Sequence, residues 1–124
     1  MIRIALLGLA IFIGGTSGIS AQQRTTMGAG TLSCGQWLQN RSLAEHPGNS
    51  QELVATYQMD AWLDGYLSGT NVNVPNWPDI FTSRPSSIAM YAWVDNYCRS
   101  NPLDRISAAA NALLAELLSR AKGK

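Results

Sequence analysis

Two cysteines, Cys34 and Cys98, are the feature that most limits how this 124-residue chain can fold. Two thiols allow a single intramolecular pairing. A bond between them closes a loop of about 65 residues, worth about 4 kcal/mol in the chain-entropy account, which is a large share of a small domain's stability. Whether it forms depends on the redox compartment. The alternatives are two free buried thiols or a bond to another chain.

The N-terminus bears on that compartment. Arg3 precedes an uncharged, largely apolar run from Ile4 to Gly14, and small residues then lead to Ile19-Ser20-Ala21 ahead of the polar Gln22-Gln23-Arg24. This order reads as a secretory signal peptide (1–21) cleaved after Ala21. The run falls short of the about 20 apolar residues that span a bilayer. The expectation is therefore a periplasmic or secreted protein with no stable membrane insertion after cleavage, and an oxidised Cys34–Cys98 pair.

Residues 22–124 then make one domain. Arg3 is one of nine Lys and Arg, so the mature part sets eight basic residues against eight acidic ones. A balanced charge gathers neither nucleic acid nor anionic lipid. Residues 22–31 lack periodic apolar positions and read as a flexible leader, and 32–124 as a helical domain. Cys34, Trp37 and Leu38 give helix one from about Ser33 to Arg41. His46-Pro47-Gly48-Asn49 is a turn. Ser50 caps helix two, which carries Leu53, Tyr57, Ala61 and Asp64 and is expected to stop at Gly69. Gly65 and Gly69 suggest a place where another backbone comes close, with the last helix as partner. Gly69–Pro85 is a long irregular loop with three prolines, and its length and aromatic content point to function. Helix three begins at Ser86 or Ser87 and contains Tyr91, Asp95 and Cys98. Asn101-Pro102-Leu103-Asp104 reads as the capped start of helix four, whose apolar stripe begins at Leu103 and ends at Leu117. The fold class is all-α: a small four-helix bundle with one disulfide and a long irregular loop between helices two and three.

Little catalytic chemistry is present. His46 is the only histidine and lies in a polar turn. No Gly-x-Ser-x-Gly elbow exists. One His and two disulfide cysteines do not make a zinc set, so neither a metal nor another cofactor is expected. Trp77-Pro78-Asp79 is similar to a tyrosine-phosphatase acid loop, but Arg105 comes one residue too late after Cys98 for that chemistry. A non-enzymatic protein is the expectation. Trp37, Trp62 and Trp93 read as core. Trp77, with Val74, Ile80 and Phe81, forms a candidate partner-binding set, since Trp and Tyr favour interface anchors. Asp64 and Asp95 sit among aromatics on helix faces. They read either as acid-sensing groups or as hydrogen-bond acceptors for a neighbouring Tyr or amide.

Ser33-Cys34 opening a helix, the phrase Ala61-Trp62-Leu63-Asp64-Gly65-Tyr66-Leu67-Ser68-Gly69, and Tyr97-Cys98-Arg99-Ser100-Asn101-Pro102-Leu103 with its trailing helix together resemble the HdeA/HdeB group of periplasmic acid-stress proteins. The resemblance implies a small disulfide-bonded helical bundle that acts as an acid-activated chaperone for client proteins. The Cys34–Cys98 interval is longer than is usual in that group, the excess falling in the Gly69–Pro85 loop. The Gly-Tyr-x-x-Gly phrase ending helix two, and a Cys shortly before Asn-Pro, also resemble Tai-type immunity proteins of type VI secretion. That likeness implies capture of an effector toxin. A structural envelope protein is the third reading, and a homodimer is compatible with any of them. If function involves opening, the staple leaves the last helix as the piece free to move.

Overall fold

A computed structural model describes residues 25–83 and 85–123. The expected signal peptide and its expected cleavage point lie outside the described residues. A short 3-10 turn, Gly28–Thr31, precedes four helices: α1 (Cys34–Glu45), α2 (Ser50–Asn73), α3 (Ser87–Ser100) and α4 (Ile106–Lys122). Among the described residues there is no strand, only an isolated antiparallel bridge between Ser33 and Arg105. No described helix is long and apolar enough to cross a membrane. The fold is an all-α bundle stapled by Cys34–Cys98, whose Cα atoms lie 4.8 Å apart.

Each helix start has a local cause. Ser33 and Gln36 form a reciprocal capping box on α1. Asn49, one residue before the expected cap, accepts from the Gln51 and Glu52 amides to open α2. Ser86 caps α3 through the Ala89 amide. Apolar faces then meet in one core containing Trp37, Met59, Leu63, Leu67, Val94 and Leu113. α1 outruns its expected end at Arg41 and stops at His46, where Pro47 disfavours further helix. The Thr56 hydroxyl donates to the Asn40 carbonyl at 3.0 Å, binding α2 to α1 just before the added stretch.

Three sequence expectations are corrected. Asn101-Pro102 does not start the last helix. Asn101 ends α3, with its backbone and side chain both donating to the Tyr97 carbonyl. Residues 102–105 form a strap, and Leu103, expected in the apolar stripe, is 94% exposed. The strap is held because it serves α1. The Cys34 and Gly35 amides, unpaired within a helix's first turn, donate to the Asp104 and Pro102 carbonyls at 2.7 and 3.1 Å. The Ile106 amide returns a bond to the Leu32 carbonyl at 2.9 Å.

Second, α2 passes through Gly69 for another turn. Helix propensity is a weak preference that packing overrides, and Leu67 is buried just before the glycine. Neither Gly65 nor Gly69 meets another backbone; a Cβ at either would touch nothing within 4 Å. Third, part of the expected leader is built into the fold. Gly28–Thr31 lies against Trp62, whose indole N–H donates to the Met27 carbonyl at 2.9 Å. A Cβ on Gly30 would lie 2.1 Å from the Trp62 ring.

These glycines should respond oppositely to alanine. Gly65→Ala and Gly69→Ala add no clash inside a helix and should each stabilise by roughly 0.5–1 kcal/mol. Gly30→Ala must displace Trp62 and should cost about 1–3 kcal/mol. Urea unfolding followed by far-UV circular dichroism reads all three.

Candidate functional site

The structure brings the two candidate acid-sensing residues to one junction, between α1, α2 and α3. From α1, Arg41 points its guanidinium between two carboxylates: Nε reaches Asp95 on α3 at 2.9 Å and one terminal nitrogen reaches Asp60 on α2 at 3.0 Å. The guanidinium also lies 5.2 Å from the Trp37 ring centroid and 5.3 Å from that of Tyr91, a cation–π arrangement on both rings. The indole N–H of buried Trp37 donates to Asp95 at 2.6 Å. The Tyr91 hydroxyl donates to Asp64 at 2.7 Å. The other Asp64 oxygen is buried without a hydrogen-bond partner among the described residues.

Asp60 and Arg41 were not singled out in the sequence. The sequence shows only that Asp60 lies one helical turn before Asp64 on α2, which does not single it out. What a sequence cannot supply is the α1 register that brings Arg41 between them and Asp95. Burial pushes the Asp60 carboxyl above its ordinary value of 3.8; Arg41 pulls it down and loses, with Asp64 and Asp95 adding to the push. Burial first, then the bond to Asp64, pushes the Tyr91 hydroxyl up to about 12. An open groove of about 550 Å³ runs beside the junction, lined by Leu38, Arg41, Thr56, Asp60, Asp95 and Arg99 among others. His46 is exposed at the end of α1. Among the described residues no group of three His, Cys, Asp or Glu side chains is placed to hold a metal ion.

The candidate partner-binding set is split. Trp77 is 41% exposed and Val72, just before the loop, 81%. Val74 and Phe81 are half-buried, and Ile80 is a core residue, 1% exposed. Ile80 is therefore no surface anchor in this state. A clasp missed in the sequence holds it down. Asn71, on the added turn of α2, accepts from the Ile80 amide at 3.0 Å and donates to Asp79 at 2.9 Å. Asp79 accepts a second bond, from the Phe81 amide, at 2.9 Å. These two donors, the Phe81 amide foremost, hold the Asp79 carboxyl below its ordinary value. Asp followed two residues later by a free amide is the Asx-turn pattern, so half of the clasp was readable in advance. Comparison with family models, curated proteins and solved structures returns no match for this chain.

The two carboxylates at the junction should behave differently on removal. Because its raised pKa means the folded protein disfavours the charged form, Asp60 contributes most to stability when protonated, and that contribution is lost as pH rises. Asp60→Asn should hold or raise stability at pH 7, with the gain fading toward pH 3. Asp95→Ala strips the buried Trp37 indole of its acceptor and should cost about 1–3 kcal/mol at pH 7. Urea titrations at both pH values measure each.

Proposed function

We propose that this chain is a small exported, non-enzymatic chaperone of the acid-stress type, binding client proteins through apolar surface released as pH falls. The observation that carries the reading is the division of the apolar loop. Val72, on the last turn of α2, and Trp77, in the loop, are already accessible, while the loop's Ile80 and part of its Phe81 are turned into the core. A resting form that keeps much of its binding surface covered suits a protein needed only under stress. The likeness to the HdeA/HdeB group supports the same reading. So does the charge balance: with the eight carboxylates neutralised, eight basic residues and His46 leave the mature part near +9, and self-repulsion then favours opening. The buried Cys34–Cys98 bond keeps the opened chain in register.

The acids do not all push the same way. Asp60 is relieved by protonation, so the Arg41 junction resists acid as far as that residue is concerned. Opening on this reading is partial, with the helices of the junction retained.

A pH series from 7 to 2, in oxidised and reduced protein, tests this. The oxidised chain should keep an acid-denatured client soluble below about pH 3, where carboxylates protonate, and release it on neutralisation. Reduction should abolish its reversible refolding. A chain that stays closed at pH 2 and leaves the client to aggregate would remove the reading. The exposed Trp77 and Val72 also favour the immunity reading, in which a folded effector docks on this end of α2 at pH 7. That reading predicts one stoichiometric partner captured from neutral extract and lost in Trp77→Ala.

A further inference from the structure

Ile80 occupies a seat in the core cluster that includes Leu63, Leu67 and Met90, although it belongs to an irregular loop. Phe81 beside it lines a cavity of about 330 Å³ with Asp64, Ser68, Pro85, Ser87 and Met90. The loop reaches this seat with few fastenings, and the Asn71–Asp79 clasp is the one that holds the Ile80 amide directly. We propose that this clasp is an acid-released latch: when Asp79 is neutral the 74–83 loop lifts, Ile80 and Phe81 leave the core, and the vacated seat takes an extended Ile- or Phe-bearing segment of an unfolded protein chain.

The occupant follows from what the seat now holds, since a site filled by an irregular Ile-Phe segment accepts another of the same chemistry. For that occupant the proposal rests on the client-binding reading above; the latch itself does not. Bonds to an ionised carboxylate are roughly twice as strong as neutral ones. Protonation weakens both bonds that the Asp79 Oδ1 accepts, and so loosens the Asn71 side chain that holds the Ile80 amide. The sign is opposite to that of Asp60. A lowered folded pKa contributes stability above the ordinary value of 3.8 and loses it as pH falls through the lowered one. The groups acting on Asp79 are the Phe81 amide, the Asn71 side chain and slight burial; no charged side chain of α2, α3 or α4 is among them. On the inner side of the loop the titratable groups are Asp64 on α2, which shares the Phe81 cavity, and Tyr91 on α3, which is bonded to Asp64.

Amide hydrogen exchange in the disulfide-intact chain tests the latch, with Val94 and Leu113 as core references. Protection at Ile80 and Phe81 should fall about tenfold or more between pH 5 and 2.5 while the references hold, the mark of local rather than global opening. Asp79→Asn cannot titrate, and should make Ile80 protection independent of pH over that range. Asp79→Ala should leave Ile80 poorly protected already at pH 7. Unchanged Ile80 protection in the wild type, or a fall in step with Val94, would overturn the latch. A labelled extended peptide carrying Ile-Phe should bind at pH 2.5 and, in Asp79→Ala, at pH 7. An open loop that binds no peptide overturns the seat. Client protection with a closed loop overturns the latch and leaves the chaperone reading standing.

Discussion

Cys34 is the first residue of α1 and Cys98 lies in the last turn of α3, and both are fully buried where the 102–105 strap crosses the start of α1. The bond therefore acts together with the strap. The carbonyls of Pro102 and Asp104 satisfy two of the amides that α1 would otherwise leave unpaired, and Leu32 takes the Ile106 amide in return. Asp104 is held in turn by the Tyr97 hydroxyl at 2.7 Å, and that bond raises the tyrosine's pKa. One covalent link and three backbone bonds thus fix α1, α3 and the origin of α4 relative to one another. The 64-residue separation of the cysteines sets what they enclose: all of α2 and the long loop.

Within that frame the carboxylates fall into two populations. Asp60, Asp64 and Asp95 surround one arginine and two aromatic rings at the helix junction, and there burial governs Asp60. Asp79 lies on the surface, where two neutral donors govern it. The inside group gains from neutralisation at Asp60 and the outside group loses from it at Asp79. A single fall in pH therefore acts in opposite directions on two parts of one small domain.

The sequence was most legible where local signals agreed with packing. The cysteine pair, the Ser33-Cys34 start of α1 and the start of α3 at Ser87 all came through, because each needs only nearby residues, whereas the buried face of α3 is Met90, Val94 and Cys98 and Ile88 is exposed. It misled where a tertiary demand overrode a good local signal. Asn101-Pro102-Leu103-Asp104 satisfies the rules for an N-cap, yet α1 needed its carbonyls more than α4 needed an earlier start. Gly69 is a plausible helix stop, yet α2 continues and delivers Asn71 to the clasp. Ile80 carries the same apolar chemistry whether it faces a partner or the core, so its burial could not be read from composition. The Arg41 junction was half visible: Asp64 and Asp95 stood out by their aromatic company, while Asp60 and Arg41 acquire meaning only from the α1–α2 register.

The packing of each element bears on which part of the bundle would move first. Topology alone leaves α4 outside the disulfide loop and free to swing away. Packing reverses the order. Burying a large aliphatic side chain contributes about 1.5–3 kcal/mol. α4 commits Ile106, Leu113, Leu114 and Leu117 to the core, while the 74–83 loop commits Ile80 and part of Phe81. The α4 origin is also bonded to Leu32 and to the strap beside the disulfide. Detaching α4 costs several times what lifting the loop does and would dismantle the core with it. An opening that kept the helices would begin at the loop, inside the disulfide's span, where Asp79 loses its contribution as pH falls.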